Sequence, residues 1–213
     1  MKRRIFLRND LSHTDGLSGI PMNSSLPLIG ILTGSPFEAR FGEKHEHWIH
    51  EIAKKRADLV VELIDLGDDS PPFLDEPTSS DWLPAKKQIA QAWADRFAPL
   101  DGLIVVTPEY DHGTSLELKK TFDYAYKELA RKPIGFVGYG GTGLAIEQMR
   151  LVAIKLQMVP VRNAVHIGIA EFVGIWQQGK SFDEYTHLAQ AANALLNDLA
   201  WWAQALKVPR AST

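Results

Sequence analysis

The stretch "DGLIVVTPEYDHG", residues 101–113, decides how this chain is read. "LIVV" is an apolar run without polar alternation, the pattern of a strand covered on both faces. A proline, two acids, an aromatic residue, a histidine and a glycine then follow within residues 107–113. So abrupt a change predicts either an ordinary loop or a loop that lines a ligand crevice.

Comparable apolar runs recur on both sides of it. "LIGIL" (28–32), "LVVELIDL" (59–66) and "PIGFVGY" (133–139) read as strands, and "VPVRNAVHIGI" (159–169) contains a fifth. Helical spacing separates them. Trp48, Ile49, Ile52 and Ala53 share a helix face, and residues 85–98 suit a second helix. Leu118, Phe122, Ala125 and Leu129 fall at i, i+4, i+7 and i+11, and Ala145, Met149, Val152 and Leu156 repeat the pattern. Residues 183–206 suit a final helix, while the Pro-, Asp- and Ser-rich stretch 67–84 reads as a long surface loop.

Strand–helix alternation five times over predicts a parallel sheet with helices on both faces and right-handed crossovers. The fold expected at this length is α/β: a flavodoxin-like three-layer sandwich whose five-stranded parallel sheet has the order 2-1-3-4-5. That order puts a ligand crevice at the carboxyl ends of strands 1 and 3. "TPEYDHG" leaves strand 3 at that edge, so crevice lining accounts for its polarity.

The 213 residues suffice for one domain with a sizeable core. Residues 1–26 are expected to form a flexible extension, with Met22 a second candidate start, 27–206 a single domain, and 207–213 a flexible tail. A formal charge of −3 gives no general attraction to nucleic acid or anionic lipid. There is no signal-peptide core and no apolar stretch near the ~20 residues of a membrane span. With no cysteine, disulfides, thiolate nucleophiles and Cys-ligated metals are excluded. Cysteine-free composition suits the cytosol. Redox chemistry, if present, must then sit on a bound cofactor.

Three loops carry candidate chemistry. "TGSPFEAR" (33–40) leaves strand 1 and enters a helix, so Ser35 and Arg40 either hold a phosphate at the helix start or serve as a cap and a solvated cation. Neither a P-loop nor G-x-G-x-x-G is present. "YGGTG" (139–143) either permits close approach of a planar ring or makes a tight turn. In the third loop Glu109, Asp111 and His112 have acid–base side chains, but no nucleophile accompanies them, and a positioning role is favoured. "HEHWIH" (45–50) lacks H-E-x-x-H spacing, with His45 and His47 about 200° apart on a helix, so an ordinary helix face is favoured over a metal site. Trp201 and Trp202 read as sheet packing before oligomer contact.

Together these loops resemble the NADPH-dependent FMN reductase family, flavodoxin-like enzymes that include quinone, azo-dye and chromate reductases. "VVTPEYDHGTSLELKKTFDYA" (105–125) is close to the family's T-P-E-Y-N-x-(S/G)-x-P-x-x-L-K-N-x-(I/L)-D, and "KPIGFVGYGGTGLAIEQMRLVAIKLQMVPV" (132–161) is also close to the family form. The likeness runs from about Leu28 to Ile169. It implies that Ser35 and Arg40 bind the FMN phosphate. It places Pro108, Glu109, Tyr110, Asp111 and His112 beside the isoalloxazine ring and ribityl chain, and Tyr139, Gly140 and Gly141 against the pyrimidine edge. It implies ping-pong hydride transfer from NADPH or NADH through FMN N5 to quinones or similar small acceptors, with no catalytic side chain and no metal. A homodimer or homotetramer is implied as well. Four positions depart from the pattern: Phe37 for the usual Arg, Asp111 for Asn, Leu116 for Pro and Lys120 for Asn. The first leaves Arg40 as the main phosphate cation. The alternative is an FMN-binding sensor or interaction protein of the same fold with little turnover.

Overall fold

The structure is a computed structural model that describes residues 26–34, 41–66, 87–141 and 143–211. Its strands are β1 (Leu28–Thr33), β2 (Val60–Asp65), β3 (Gly102–Pro108), β4 (Pro133–Tyr139), β5 (Val159–Pro160) and β6 (Val165–Ile167). Its helices are α1 (Phe41–Lys54), α2 (Lys87–Phe97), α3 (Leu116–Tyr124), α4 (Leu144–Lys155), α5 (Ile169–Gln177) and α6 (Thr186–Ala211). The pairings between strands are parallel and run β2-β1-β3-β4-β5, with β6 also on β4. This is the order expected from the sequence, and all seven residues of β3 are buried.

Side-chain alternation along β3 explains why its sequence shows no polar period. Ile104 and Val106 face one core, with Ile31 and Val137 of the neighbouring strands and Ile49, Leu195 and Leu199 of α1 and α6. Leu103 and Val105 face the other, with Phe97, Leu118, Phe122, Ile146 and Met149 of α2, α3 and α4. Apolar residues are therefore needed at every position of the central strands.

The fifth strand position is divided, which the sequence did not suggest. Val159 and Pro160 pair with the start of β4, and Val165–Ile167 with its end. Between them Val161 N still donates to Ile134 O of β4 at 2.9 Å, and side-chain contacts take over from there. The Arg150 guanidinium donates to the carbonyls of Val161 and Arg162. Asn163 Nδ2 donates to Asp198 Oδ2 at 2.7 Å. The helix α5 was also unforeseen: "IAEFVGIWQ" is apolar nearly throughout, and short apolar runs do not by themselves tell helix from strand.

Residues 207–211, expected in a flexible tail, continue α6 instead. Two cations near its end reach one buried acid: Lys207 Nζ lies 2.8 Å and Arg210 Nη2 2.6 Å from the carboxylate of Asp101. Asp101 also accepts from Leu28 N at 3.0 Å, so one side chain ties β1, the start of β3 and α6 together. The loop at 67–84 lies outside the described residues. No helix among the described residues is long and apolar enough to cross a membrane.

Beside this cluster Lys132 is buried and donates to the Phe97 and Ala98 carbonyls at 2.8 and 3.0 Å, ending α2. Burial, and then the Arg210 charge, push its pKa from 10.5 down to about 8, against the pull of Asp101 and Glu128. A lowered lysine pKa means the unfolded chain binds more protons between those two values, so the Lys132 contribution to stability rises with pH across that window. Urea unfolding of the protein and of Lys132→Met is expected to show wild type gaining on the variant by on the order of 2 kcal/mol between pH 7.5 and pH 10. A difference that stays flat with pH would show that the lysine is not desolvated in this way.

Candidate functional site

β3 delivers its last residue, Pro108, to the carboxyl edge of the sheet opposite Tyr139, the last of β4. The chain then forms a tight hairpin. Tyr110 N donates to Gly113 O at 2.9 Å and Gly113 N to Tyr110 O at 2.7 Å. The two residues between, Asp111 and His112, have φ of 47° and 66°. Positive φ at both central positions is the type I′ geometry, which Asp and His tolerate better than most residues. Ser115 then caps α3, its hydroxyl accepting from Leu118 N at 3.4 Å.

Glu109 has a different task from its neighbours. Its side chain is 7% exposed, whereas that of His112 is 69% exposed. Glu109 Oε2 accepts from Gly143 N at 2.8 Å and from Ala145 N at 3.3 Å, at the first turn of α4. A carboxylate there meets unpaired N–H groups and the positive end of the helix dipole. Its Oε1 faces His112 Nδ1 at 3.5 Å, and its own N–H donates to Tyr139 O at 3.1 Å. One residue thus fastens the loop after β3 to the loop after β4.

That clasp dictates the glycines. A Cβ on Gly141 would lie 2.3 Å from Glu109 Cδ, and one on Gly143 would lie 2.6 Å from His166 Nδ1. Gly140, like Gly143, has positive φ, here 78°, but a Cβ on it would meet no atom of the described residues within 4 Å. Its backbone therefore faces space that no described residue fills, which is room for a ligand to approach it. Glu109, Gly138, Tyr139, Gly143, Ile146 and His166 line the cleft under this turn.

Tyr139 contributes backbone at the edge, while its ring is buried. The ring stacks on His45 of α1 at 4.3 Å with 6° between the planes, and on Phe172 of α5 at 5.9 Å. Tyr110 is 44% exposed beside the crevice, and desolvation followed by the charge of Glu117 raises its pKa, keeping the hydroxyl protonated at neutral pH.

At the end of β1, Gly34 is set by packing, since a Cβ there would lie 2.1 Å from Leu118 Cγ. Thr33 before it is buried, and its hydroxyl has no hydrogen-bond partner among the described residues. An orphaned buried hydroxyl at the carboxyl end of β1 fits a polar ligand group in the crevice. Ser35, Phe37 and Arg40 lie outside the described residues. The structure thus brings Pro108, Glu109, Tyr110, Asp111, His112, Tyr139, Gly140 and Gly141 to one edge of the sheet. The sequence reading missed Thr33 and His166. Only Thr33 had a signal there, standing directly before the Gly-Ser exit from β1.

A family profile described as NADPH-dependent FMN reductase matches residues 27–171. The chain belongs to that family. It is 33% identical over 146 residues, 63% of this chain and 72% of the other, to an NAD(P)H-dependent FMN reductase of Nectria sp.. It is 30% identical over 149 residues, 65% of this chain and 72% of the other, to one of Schizosaccharomyces pombe. A 2-hydroxy-1,4-benzoquinone reductase of Burkholderia sp. is 28% identical over 130 residues, 58% of this chain and 67% of the other. Among solved structures, the flavoenzyme NAD(P)H:(acceptor) oxidoreductase of Paracoccus denitrificans superposes with a TM-score of 0.62 at 16% identity, covering 82% of this chain and 97% of that one. This family member is an oxidoreductase with FMN as cofactor and NAD(P)H as co-substrate.

Removing the clasp is expected to loosen the site without unfolding the sheet. Glu109→Ala strands the Gly143 and Ala145 N–H groups and is expected to cost about 2–3 kcal/mol in urea unfolding. Glu109→Gln keeps an acceptor and should lose less than half of that. Equal stability of Glu109→Ala and wild type would mean the carboxylate does not hold the two loops.

Proposed function

We infer that the protein is a ping-pong oxidoreductase that moves electrons from NAD(P)H through FMN to a quinone or similar small acceptor. The open space over Gly140, bordered by the clasped β3 and β4 loops, is the observation that carries this reading. FMN, when bound, supplies the hydride chemistry that no side chain of this site has. The chain's own residues bind and orient. Arg40 and Ser35 take the phosphate at the start of α1, and the Thr33 hydroxyl at the end of β1 offers a further polar group. The hairpin Tyr110–Gly113 stands along the ring and ribityl chain, and the Gly140–Gly141 backbone borders the pyrimidine edge. Positioning of this kind accelerates transfer by holding donor and acceptor in reacting geometry. The Burkholderia relative's name supports a quinone as acceptor, and the lack of cysteine supports a cytoplasmic setting.

Asp111 in place of the family's Asn motivates the low-turnover alternative, but the turn geometry speaks against a changed scaffold. Asp and Asn both accept positive φ, and Asp111 sits exposed at the hairpin tip. Initial rates varied in both NADPH and a benzoquinone are expected to give parallel double-reciprocal lines. Arg40→Ala is expected to weaken FMN binding by about tenfold or more in a fluorescence titration, since a charge-assisted hydrogen bond contributes ~1.5–3 kcal/mol. Unchanged affinity in that variant would remove Arg40 from the phosphate site. Intersecting lines would remove the ping-pong order.

A further inference from the structure

His45 stands where the pattern of α1 calls for an aliphatic residue. It is 2% exposed, on the same helix face as Ile49 and Ala53, which are wholly buried. Burying an imidazole costs more than burying a leucine of similar size, because its ring nitrogens leave water. The contacts show what the ring does there. It lies flat on Tyr139 of β4, with 4.3 Å between centroids and 6° between planes. Phe172 of α5 packs beside both rings at 5.9 Å, and Phe182 meets His45 edge-on at 5.5 Å and 87°. An aliphatic chain would fill the same volume, but it has no flat face to fix the plane of the phenol ring.

The plane of that ring matters because of where its backbone stands. Tyr139 is the last residue of β4, and its carbonyl accepts the Glu109 N–H at 3.1 Å. Gly140 follows with positive φ and donates to Ile167 O at 3.0 Å. The glycine turn is thus anchored at both ends. Glu109 holds the far end, at Gly143 and Ala145. The near end departs from Tyr139, and a tilt of that side chain moves the peptide that leads into Gly140. Trp48, three residues along α1 from His45, belongs to the same aromatic cluster through Phe182, on which it stacks at 4.8 Å and 12°. It is the natural comparison, a ring of the cluster whose stacking partner is not the crevice residue.

We propose that His45 is a positioning residue of the crevice: by lying flat on Tyr139, it sets the direction in which the backbone leaves β4 for the glycine turn. It acts through Tyr139 and not by touching a ligand. Its consequence for flavin affinity rests on the cofactor placement proposed above, whereas its effect on the turn does not.

Two readouts test it, one of them free of flavin. The first is amide hydrogen exchange of the flavin-free full chain at the Glu109 and Gly140 N–H groups, relative to amides in the middle of β3. Exchange there is expected to quicken about tenfold in His45→Leu, and less than about twofold in Trp48→Leu. The second is FMN affinity by fluorescence titration. It is expected to fall about fivefold to tenfold in His45→Leu and to return to within about twofold of wild type in His45→Phe, which restores a flat ring. Trp48→Leu is expected to lose stability in urea yet keep its FMN affinity. Unchanged exchange in His45→Leu, equal quickening in Trp48→Leu, or a His45→Phe variant no better than His45→Leu overturns the proposal. Quickened exchange with unchanged FMN affinity upholds the role of the stack and overturns the placement of the flavin beside the turn. Circular dichroism confirms that each variant is folded. Should His45→Leu not fold, His45→Met, which is flexible and of similar size, carries the same expectations.

Discussion

The carboxylate of Glu109 on the first N–H groups of α4 is the contact on which the site depends. Without it, the loops after β3 and β4 would be independent excursions from the sheet edge. With it, they form one wall with a fixed opening. The contact works because three requirements coincide: the acid is desolvated, the helix end has unpaired donors, and Gly141 leaves room for the carboxyl group. Beside it, no described residue fills the space above Gly140.

The central architecture was legible because the sheet is covered on both faces. Continuous apolar runs marked the first four strands, and helical spacing marked the faces of α1, α3 and α4, so a parallel sheet followed from alternation, and chain length pointed to the order 2-1-3-4-5. Two misreadings come from side chains on another element. Arg150 disrupts the fifth strand position from α4, 11 and 12 residues upstream of the carbonyls it captures. Asp101 holds the end of α6 across 109 residues, so a stretch that reads as a frayed tail is helix. α5 escaped notice for a different reason, because its sequence is apolar nearly throughout.

At the site, the motif announced its importance but not its division of labour. Three of its polar residues look alike in sequence. In the fold Glu109 is a buried clasp, whereas Asp111 and His112 make an exposed turn whose positive φ values matter more than their charges. The departure from Asn at position 111 thus leaves the backbone geometry intact. Tyr139 likewise divides into a backbone at the crevice and a ring in the core, packed against the rings of His45 and Phe172. The aromatic stack ties the glycine turn to α1, the helix that begins where the proposed phosphate loop ends.

The account's central claim is that these clasped loops cradle a flavin that NAD(P)H reduces. The most direct test is the visible absorption spectrum of the protein after incubation with FMN and desalting, followed anaerobically as NADPH is added. The account predicts that oxidised-flavin absorption is retained through desalting and bleaches on NADPH addition. Flavin lost in desalting, or retained and left unbleached, would contradict it.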